Sequence, residues 1–249
     1  MENRTAIITG GNKGIGLNIT EAFIKSDYRV VVGARTDTGL EKKFPGKVRF
    51  LKIDVRNEQD HVKLTKLAID WTGNINVYVN NAGFSEWRPI EKIDELFFNQ
   101  MIGTNLLGVF WGCKAAVANM SQGGVIINIS SIAGKRGSSN NTLYCASKFG
   151  VNGLTQALAK EVGKQSIRVN AVCPVLISTD GLIEALKSPY SPAKGNIEKF
   201  LSDFTTANSA LGRLPTGREV GEVCVFLASD AASAITGQCI NVDCGVFPQ

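Results

Sequence analysis

The chain has 249 residues, of which 44% are hydrophobic and 20% are charged, and its formal net charge is +5. This length suits a single α/β domain, and this composition excludes a largely disordered protein. Basic residues are scattered apart from Lys42, Lys43 and Lys47, so we expect no nucleic-acid partner. No apolar signal segment opens the sequence, and the most apolar central stretch, residues 106–118, is shorter than the about 20 residues of a membrane span. We therefore expect a cytoplasmic protein with no membrane partner.

The thiols and the imidazole do not suggest a metal site. The six cysteines show no C-x-x-C pair and no zinc-type spacing, so reduced, buried thiols are expected. The only histidine, His61, lies in a polar stretch typical of a helix start. A hydrolase triad would have to use it, and we expect no catalytic role for it.

In chain order, short runs of β-branched or apolar residues alternate with longer periodic segments. This alternation predicts βαβ units and a parallel sheet. The runs are apolar nearly throughout, so we expect strands that helices bury on both faces. The predicted strands span residues 5–9, 29–33, 48–53, 75–79, 125–129, 167–172 and 238–242. The predicted helices span residues 15–25, 58–71, 94–120, 144–163 and 217–228.

One segment interrupts this alternation. Residues 178–211 contain Pro189, Pro192 and Gly195 and several apolar residues, but no convincing strand. Loops of this length are uncommon in compact domains unless they are functional or disordered. We therefore predict one domain over residues 1–249, with a lid at about residues 181–210.

A glycine-rich turn, residues 9–16, directly follows the first predicted strand and precedes a helix. This arrangement offers free backbone N–H groups and a positive helix end to a pyrophosphate. Gly10, Gly14 and Gly16 fit that role. The alternative is a left-handed turn that binds nothing.

Tyr144 and Lys148 lie four residues apart in a predicted helix, and Ser131 precedes the tyrosine by 13 residues. Residues i and i+4 share one face of a helix, so the phenol and the ammonium lie one above the other. A nearby cation favours the phenolate, so we expect the pKa of Tyr144 to fall below its reference of about 10. Because a Tyr-x-x-x-Lys pair also arises by chance, its context has to support the assignment.

That context is an ordered set of motifs. The glycine turn is followed by Asn80-Asn81-Ala82-Gly83, then by Asn105, Ser131 and the pair Tyr144 and Lys148. In this order the motifs resemble the short-chain dehydrogenase/reductase family, in its single-domain branch, from about residue 5 to about residue 245.

The resemblance implies an α/β fold with a Rossmann-type, doubly wound, seven-stranded parallel sheet and helices on both faces. The implied function is that of an NADPH-dependent carbonyl reductase or alcohol dehydrogenase acting on a small ketone or alcohol. The alternative within the family is a 3-oxoacyl-[acyl-carrier-protein] reductase. A non-catalytic nucleotide-binding redox sensor is less expected, because the whole catalytic set is present. The family also implies a homotetramer or homodimer, packed through the helices that contain Asn105 and Tyr144.

In the family's mechanism, Tyr144 is the general acid in reduction and the general base in oxidation. Lys148 bonds the nicotinamide ribose and lowers the pKa of the tyrosine. Ser131 orients and polarises the carbonyl. Asn105 holds a water that links Lys148 to solvent, unless it is only a satisfied polar residue between helices.

The resemblance also assigns the cofactor contacts. Asp54 would face the adenine amino group, although it could equally cap a helix, and Val55 would face the adenine ring. The family's Pro-Gly is Pro174-Val175 here, which leaves the backbone of the nicotinamide loop less certain. The remaining expected contacts are Asn12, Lys13 and Ile15 in the glycine turn, Asn80, Asn81, Ala82 and Gly83 after the fourth strand, and Ile177 and Thr179 in the nicotinamide loop.

The choice between NADP and NAD depends on the end of the second strand. An enzyme that selects NAD places a carboxylate there for the ribose 2′-hydroxyl. This chain has Ala34 and then Arg35, which with Lys13 could bracket a 2′-phosphate. Asp37 opposes this assignment, because it lies about 20 residues past the glycine turn, as a ribose-binding acid would. We place Asp37 in the loop beyond the strand and expect NADP(H). The loop that contains Trp87 and Arg88 carries no motif that identifies the substrate.

Overall fold

The computed structural model describes residues 4–120 and 123–248. Within these ranges, seven parallel strands form one sheet in the order β3-β2-β1-β4-β5-β6-β7. The chain starts at the centre of the sheet and winds outward in both directions, which confirms the predicted doubly wound sheet. The strands are β1 Thr5–Thr9, β2 Arg29–Ala34, β3 Val48–Lys52, β4 Val77–Asn80, β5 Gly124–Ile129, β6 Ile167–Pro174 and β7 Cys239–Val242.

Helices cover both faces of this sheet. All five predicted helical segments are present, and three further helices lie at residues 40–43, 180–186 and 197–208, where the sequence predicted none. Short 3₁₀ turns occur at Ile90–Lys92, Ile132–Gly134, Gly163–Gln165 and Asp230–Ala232. The α-helices are α1 Gly14–Lys25, α2 Leu40–Lys43, α3 Glu58–Thr72, α4 Glu95–Ile102, α5 Gly108–Asn119, α6 Thr142–Val162, α7 Asp180–Leu186, α8 Ile197–Asn208 and α9 Gly217–Ala228.

Alternation along the strands divides the core into two layers. Successive side chains of a strand point to opposite faces, so Ile8 lies in one layer and its neighbour Ile7 in the other. The first layer joins the sheet to α1 and α9 through residues such as Phe23 and Leu227. The second layer joins it to α3, α5 and α6 through residues such as Val151.

The two edge strands, β3 and β7, are less buried than the sequence predicted. Strands β3 and β7 are only partly covered, and every residue of β7 is half-buried. Each edge strand has a neighbour on one side alone, so flanking helices cover it less fully than the central strands. The expectation of strands buried on both faces therefore holds for the interior of the sheet and is wrong at its edges.

The predicted helix over residues 94–120 is continuous but not uniform. Between α4 and α5 the chain forms a π-helical turn, Gly103–Leu107. The helical segment Glu95–Asn119 has 25 residues and is long and apolar enough to cross a membrane by length and composition alone. This corrects our length argument, which counted only residues 106–118. A core helix passes the same test, and α5 buries residues such as Val109 and Cys113 against the sheet.

The segment between β6 and α9 contains α7 and α8, which the sequence did not predict. Side chains cap both helices, since Thr179 accepts a hydrogen bond from Leu182 N–H and Asn196 accepts one from Lys199 N–H. The segment packs around Trp87, which is 8% exposed. Ser188 Oγ donates to the carbonyl of Trp87 at 2.9 Å. The predicted lid therefore rests on the loop after β4, and its movement remains a prediction.

Candidate active site

The carboxyl ends of β1, β4, β5 and β6 lie side by side in the sheet. Because all these strands are parallel, the segments that follow them meet along one edge. These segments are the glycine turn, Asn81–Gly83, Ser131 and the loop after Pro174. Open α/β sheets bind ligands at this edge, where the strand order reverses. The predicted site residues from four separate parts of the sequence are thus brought together.

The glycine turn is shaped for a ligand that approaches its backbone. Gly10 and Gly14 have φ of +65° and +53°, which glycine adopts without strain. A Cβ on Gly16 would lie 2.1 Å from the Gly10 carbonyl oxygen, so only glycine fits there. Lys13, at the N-cap of α1, makes no side-chain capping bond. The first N–H groups of α1 therefore keep their capacity to bind an anion such as a pyrophosphate.

Polar side chains hold the turn in place. Asn81 Nδ2 donates to the carbonyls of Thr9 and Gly10, at 2.9 and 3.2 Å. Asn12 Nδ2 donates to the carbonyl of Thr36 at 2.9 Å, which fixes the turn to the loop after β2. Asn81 and Asn12 thus hold the backbone of the glycine turn, and their contacts with a cofactor remain predictions.

Sequence reasoning missed Thr9, whose hydroxyl accepts from the N–H groups of Asn81 and Ala82 at 3.0 and 3.1 Å. The sequence signal that could have indicated this role is a residue with a hydroxyl group at the end of β1, directly before the glycine turn. Thr9 ties the glycine turn to the segment after β4.

The loop after β2 carries the charges that concern NADP and NAD. Arg35 is exposed directly after β2, which ends at Ala34. Asp37 lies beyond the strand, as the sequence predicted, and its Oδ1 accepts from Gly39 N–H at 2.8 Å.

Asp54 follows β3, and its carboxylate is engaged by Arg56. Both oxygens accept from Arg56 Nε at 3.0 Å, and this bond to Arg56 keeps the pKa of Asp54 below its usual range. The helix-capping alternative for Asp54 is wrong, because Asn57 caps α3. Val55 is buried, and a Cβ on Gly108 would lie 2.9 Å from it. The adenine roles of Asp54 and Val55 remain predictions.

The loop after β6 lies over the glycine turn. The methyl group of Thr179 is 3.7 Å from the position that a Cβ would take on Gly14. Ile177 is buried in the core layer of α1 and α9. Val175, which replaces the family's glycine, packs against Ile132. This loop therefore has an ordered path without the glycine, and Thr179 lies against the glycine turn. The cofactor contacts of Pro174, Ile177 and Thr179 remain predictions.

The side chains that the sequence predicts to be catalytic converge beside this loop. Ser131 follows β5, and its hydroxyl donates to the carbonyl of Pro174 at 3.5 Å and accepts from Ala133 N–H at 3.1 Å. Ser131 lies near enough to Tyr144 to lower the pKa of its phenol. Lys148 is 5% exposed, its Nζ donates to the Ile129 carbonyl at 2.9 Å, and it lies 5.8 Å from the centre of the Tyr144 ring. A phenol, a serine hydroxyl and a lysine side chain thus lie together at one edge of the sheet.

Burial shifts the pKa of both Tyr144 and Lys148, and the shift of Tyr144 is opposite to our expectation. Burial raises the pKa of Tyr144 to about 12, although its bond with Ser131 lowers it. Burial lowers the pKa of Lys148 to about 8. The expected fall of the Tyr144 pKa is therefore wrong for the protein without ligands, because the low-dielectric surroundings penalise the phenolate more than the bond with Ser131 stabilises it. The phenol consequently carries its proton at neutral pH.

Asn105 lies in the π-helical turn and is fully buried. Its Oδ1 accepts from Phe84 N–H at 3.0 Å, and its Nδ2 donates to the Phe84 carbonyl at 2.8 Å. A Cβ on Gly83 would lie 3.1 Å from Asn105 Oδ1 and 3.7 Å from Lys148 Nζ. Asn105 therefore fixes the loop after β4 beside Lys148. The water-holding role stays a prediction.

His61 lies outside this site. It is fully buried, with Nδ1 2.8 Å from the Tyr78 hydroxyl and Nε2 2.9 Å from the Val55 carbonyl oxygen. Burial lowers its pKa. His61 is thus a core residue with two partners. Among the described residues, no group of three or more His, Cys, Asp or Glu is placed to hold a metal ion.

A family model described as "Enoyl-(Acyl carrier protein) reductase" (adh_short_C2) matches residues 10–247 of this chain. The chain belongs to the short-chain dehydrogenase/reductase family. Membership makes it an oxidoreductase that acts on alcohol or carbonyl groups with a nicotinamide cofactor.

Individual relatives of this family align over nearly the whole chain. A 3-oxoacyl-[acyl-carrier-protein] reductase of Chlamydia muridarum is 36% identical, over 98% of this chain and 97% of its own length. A diacetyl reductase, (S)-acetoin forming, of Staphylococcus aureus is 35% identical, over 98% of both chains. The crystal structure of a short-chain dehydrogenase/reductase from Brucella melitensis, titled glucose/ribitol dehydrogenase, superposes with a TM-score of 0.89 at 31% identity. It covers 100% of this chain and 98% of its own.

The residues of the site fit the family's cofactor. The uncapped first turn of α1 and the close packing at Gly16 form a cradle for a pyrophosphate. Lys148 lies deeper along the same edge, where the nicotinamide ribose would be held.

Proposed function

We propose that this protein is an NADPH-dependent carbonyl reductase that acts on a small ketone or aldehyde, and on the corresponding alcohol in reverse. The observation that carries the proposal is the convergence of Ser131, Tyr144 and Lys148 beside the glycine turn. Bound NADPH would supply the hydride. Ser131 donates a hydrogen bond to the carbonyl oxygen, and Tyr144 donates the proton. Since the raised pKa keeps Tyr144 protonated at neutral pH, the site is prepared for the reductive direction.

Charges at the end of β2 support NADP(H) as the cofactor. Arg35, directly after β2, and Lys13, in the glycine turn, are both exposed, and we expect them to bracket a 2′-phosphate. No carboxylate occupies the position directly after β2, and Asp37 already accepts from Gly39 N–H. A cation pair stabilises a phosphate more strongly than a hydroxyl.

A second candidate is reduction of 3-oxoacyl groups on acyl carrier protein, which the relative in Chlamydia muridarum favours. Two basic residues that could dock an acyl carrier protein near α6 do not support this second candidate. Arg168, at the start of β6, uses its guanidinium on the carbonyls of Leu227, Ser229 and Ile235. Lys160 lies 16 residues after Tyr144 along α6, about 24 Å from the site at 1.5 Å per residue.

The surroundings of Tyr144 favour a small, uncharged substrate. Its ring packs with Phe84, Phe97 and Leu143 in an apolar cluster. Arg88 is ion-paired with Glu86 and lies 3.8 Å from the centre of the Phe97 ring, so its charge is already balanced. The relative in Staphylococcus aureus, a diacetyl reductase, also suggests a small carbonyl compound.

We also propose a homodimer or homotetramer in the cytoplasm. Phe98, Leu107 and Phe110 on the segment from α4 to α5, and Phe149 on α6, are exposed apolar side chains. Such a patch marks a contact surface, here for a second copy of the chain. Sedimentation of the wild type and of Phe110→Glu checks this assembly.

The reaction is tested by NADPH consumption with free ketones, diketones, aldehydes and acyl-carrier-protein thioesters. We expect turnover of a small free ketone or diketone, and none in the Tyr144→Phe control. A large preference for the carrier-bound thioester would replace the proposal with the second candidate. If no class of carbonyl compound were reduced while NADPH still bound, the result would favour a non-catalytic nucleotide-binding redox sensor.

A further inference from the structure

A lysine at the end of β3 lies beside the position that decides between NADP and NAD. Strands β2 and β3 pair so that Ala34, the last residue of β2, is opposite Lys52, the last residue of β3. Ile53 N–H donates to the Ala34 carbonyl at 3.0 Å, so this pairing extends to the ends of both strands. Lys52 is exposed. Spacing along the sequence did not indicate it, because its neighbour belongs to another strand.

Lys52 projects to the face of the sheet on which the glycine turn lies. Paired residues of neighbouring strands point to one face, and so do residues i and i+2 of a strand. Val32 and its partner Phe50, two residues earlier on each strand, both belong to the core layer of α1 and α9. A Cβ on Gly11, in the glycine turn, would lie 3.1 Å from Val32 Cγ2. The glycine turn therefore packs on the face to which Lys52 projects, near the end of β2.

The side chain of Lys52 is long enough to reach the space above Ala34. Neighbouring strands lie about 4.8 Å apart, and the four-carbon stem of lysine spans that distance. Ala34 carries only a methyl group, so its side chain leaves this space open. An enzyme that selects NAD places a carboxylate near this point. In this chain an ammonium group can occupy the same region.

Three cations at this end of the sheet have no acidic partner. In the part of the chain that the structure describes, no ion pair involves Lys13, Arg35 or Lys52. Asp37, the acid of the loop after β2, accepts from Gly39 N–H at 2.8 Å. Other basic side chains of the same region are ion-paired, namely Lys43 with Glu21, Lys47 with Asp27, Arg49 with Glu41 and Arg56 with Asp54. The three cations therefore leave an unbalanced positive charge, which favours a bound anion.

We propose that Lys52 binds the 2′-phosphate of NADPH together with Arg35 and Lys13. Its ammonium donates hydrogen bonds to the phosphate oxygens, which are charge-assisted and therefore strong. A ribose 2′-hydroxyl carries no charge, so Lys52 contributes little to the binding of NADH. The choice of cofactor thus depends on β3 as well as on β2 and the glycine turn. This inference rests on the cofactor choice in the proposed function.

The test measures the Kd of NADPH and of NADH by fluorescence titration for the wild type and for Lys52→Gln. Lys47→Gln is the matched control, because it removes the same charge at the other end of β3. The two lysines are five residues apart, or about 16 Å along an extended strand, which exceeds the Debye length of about 10 Å at about 0.1 M salt. Lys52→Gln should raise the Kd of NADPH about 3-fold to 10-fold and change that of NADH less than about 2-fold. Lys47→Gln should change neither Kd by more than about 2-fold.

A second measurement isolates the phosphate from the rest of the cofactor. Adenosine 2′,5′-bisphosphate and adenosine 5′-monophosphate differ only in the 2′-phosphate. The bisphosphate should raise the Tm of the wild type and of Lys52→Arg more than that of Lys52→Gln, since arginine keeps the positive charge. The monophosphate should shift the Tm of all three proteins equally. Neither measurement needs a carbonyl substrate or turnover.

Equal losses of NADPH affinity in Lys52→Gln and Lys47→Gln would overturn the proposal, because they would show a general effect of net charge. An equal loss for NADPH and NADH in Lys52→Gln would also overturn it, since the lysine would then act on a part that both cofactors share. If the wild type bound NADH as tightly as NADPH, the proposed cofactor choice would fail and this inference with it. If the wild type preferred NADPH and Lys52→Gln kept the full preference, this inference alone would fail.

Discussion

Substitution of Gly16 by alanine tests the glycine turn as the cofactor cradle. The new Cβ would lie 2.1 Å from Gly10 O and 2.5 Å from Asn81 Nδ2. Both distances are well below the 3.4–4 Å of an ordinary contact, and the first involves backbone, so the turn must move. Overpacking of this kind costs about 1–3 kcal/mol. For a chain of this size, that cost lowers Tm by roughly 2–12 °C.

The displaced turn should also bind the cofactor less well. Loss of one well-placed hydrogen bond to a charged pyrophosphate is worth about 1.5–3 kcal/mol, which corresponds to about 10-fold to 150-fold in Kd. NADPH fluorescence titration measures the Kd, and thermal denaturation measures Tm.

Gly153→Ala is the matched control for this substitution. Gly153 lies in α6 with a right-handed backbone, and a Cβ there would meet nothing within 4 Å. It should stabilise the helix by about 0.5–1 kcal/mol and leave NADPH binding unchanged. If Gly16→Ala bound NADPH as tightly as Gly153→Ala, the reasoning about the cradle would be refuted.

Three further predictions concern cofactor choice, pH and the lid. Ala34→Asp combined with Arg35→Ala should reverse a preference for NADPH over NADH, because the new carboxylate accepts from a 2′-hydroxyl and repels a 2′-phosphate; equal Kd values of the wild type for both cofactors would contradict the role of Arg35. Burial lowers the pKa of His61 in the folded protein below its reference of 6.5. As the pH falls below 6.5, the imidazole of the unfolded chain therefore binds a proton before that of the folded protein, and the free energy of unfolding decreases. Urea denaturation from about pH 8 to about pH 5, with the single imidazole followed by NMR, checks this, and a titration at or above 6.5 would contradict it. Hydrogen exchange across residues 181–210 should slow when NADPH and a substrate are both bound, and unchanged protection would contradict closure of the lid.

The sheet and the cofactor turn could be predicted because their signals are local. Strands such as β1 are continuous apolar runs between glycine turns and helices, and that pattern gives both the strand and its parallel pairing. The glycine turn is likewise defined by spacing alone. The structure adds why the spacing matters, since Gly16 packs against the backbone of Gly10.

Features that depend on burial could not be read from spacing. The i,i+4 relation of Tyr144 and Lys148 gave their proximity, but the sign of the tyrosine pKa shift depends on the desolvation of the phenol. His61 stands among polar residues in the sequence and is nonetheless fully buried. The partner that makes this burial favourable, Tyr78, is distant in sequence.

Irregular helices were missed for a related reason. The π-helical turn around Asn105 has no distinct composition, and Asn105 bonds there with Phe84, which is distant in sequence. In the lid, Pro189 and Pro192 lie between α7 and α8, so they separate two helices where the sequence suggested irregular structure.

The central claim is that Tyr144 delivers the proton in a carbonyl reduction. Turnover of Tyr144→Phe, measured by NADPH consumption with the best substrate of the screen, tests it most directly. General acid catalysis is worth about 10²–10⁴-fold, so turnover should fall by that factor while the Kd for NADPH stays within a few-fold of the wild type. Retention of more than about a tenth of the wild-type turnover would contradict the assignment.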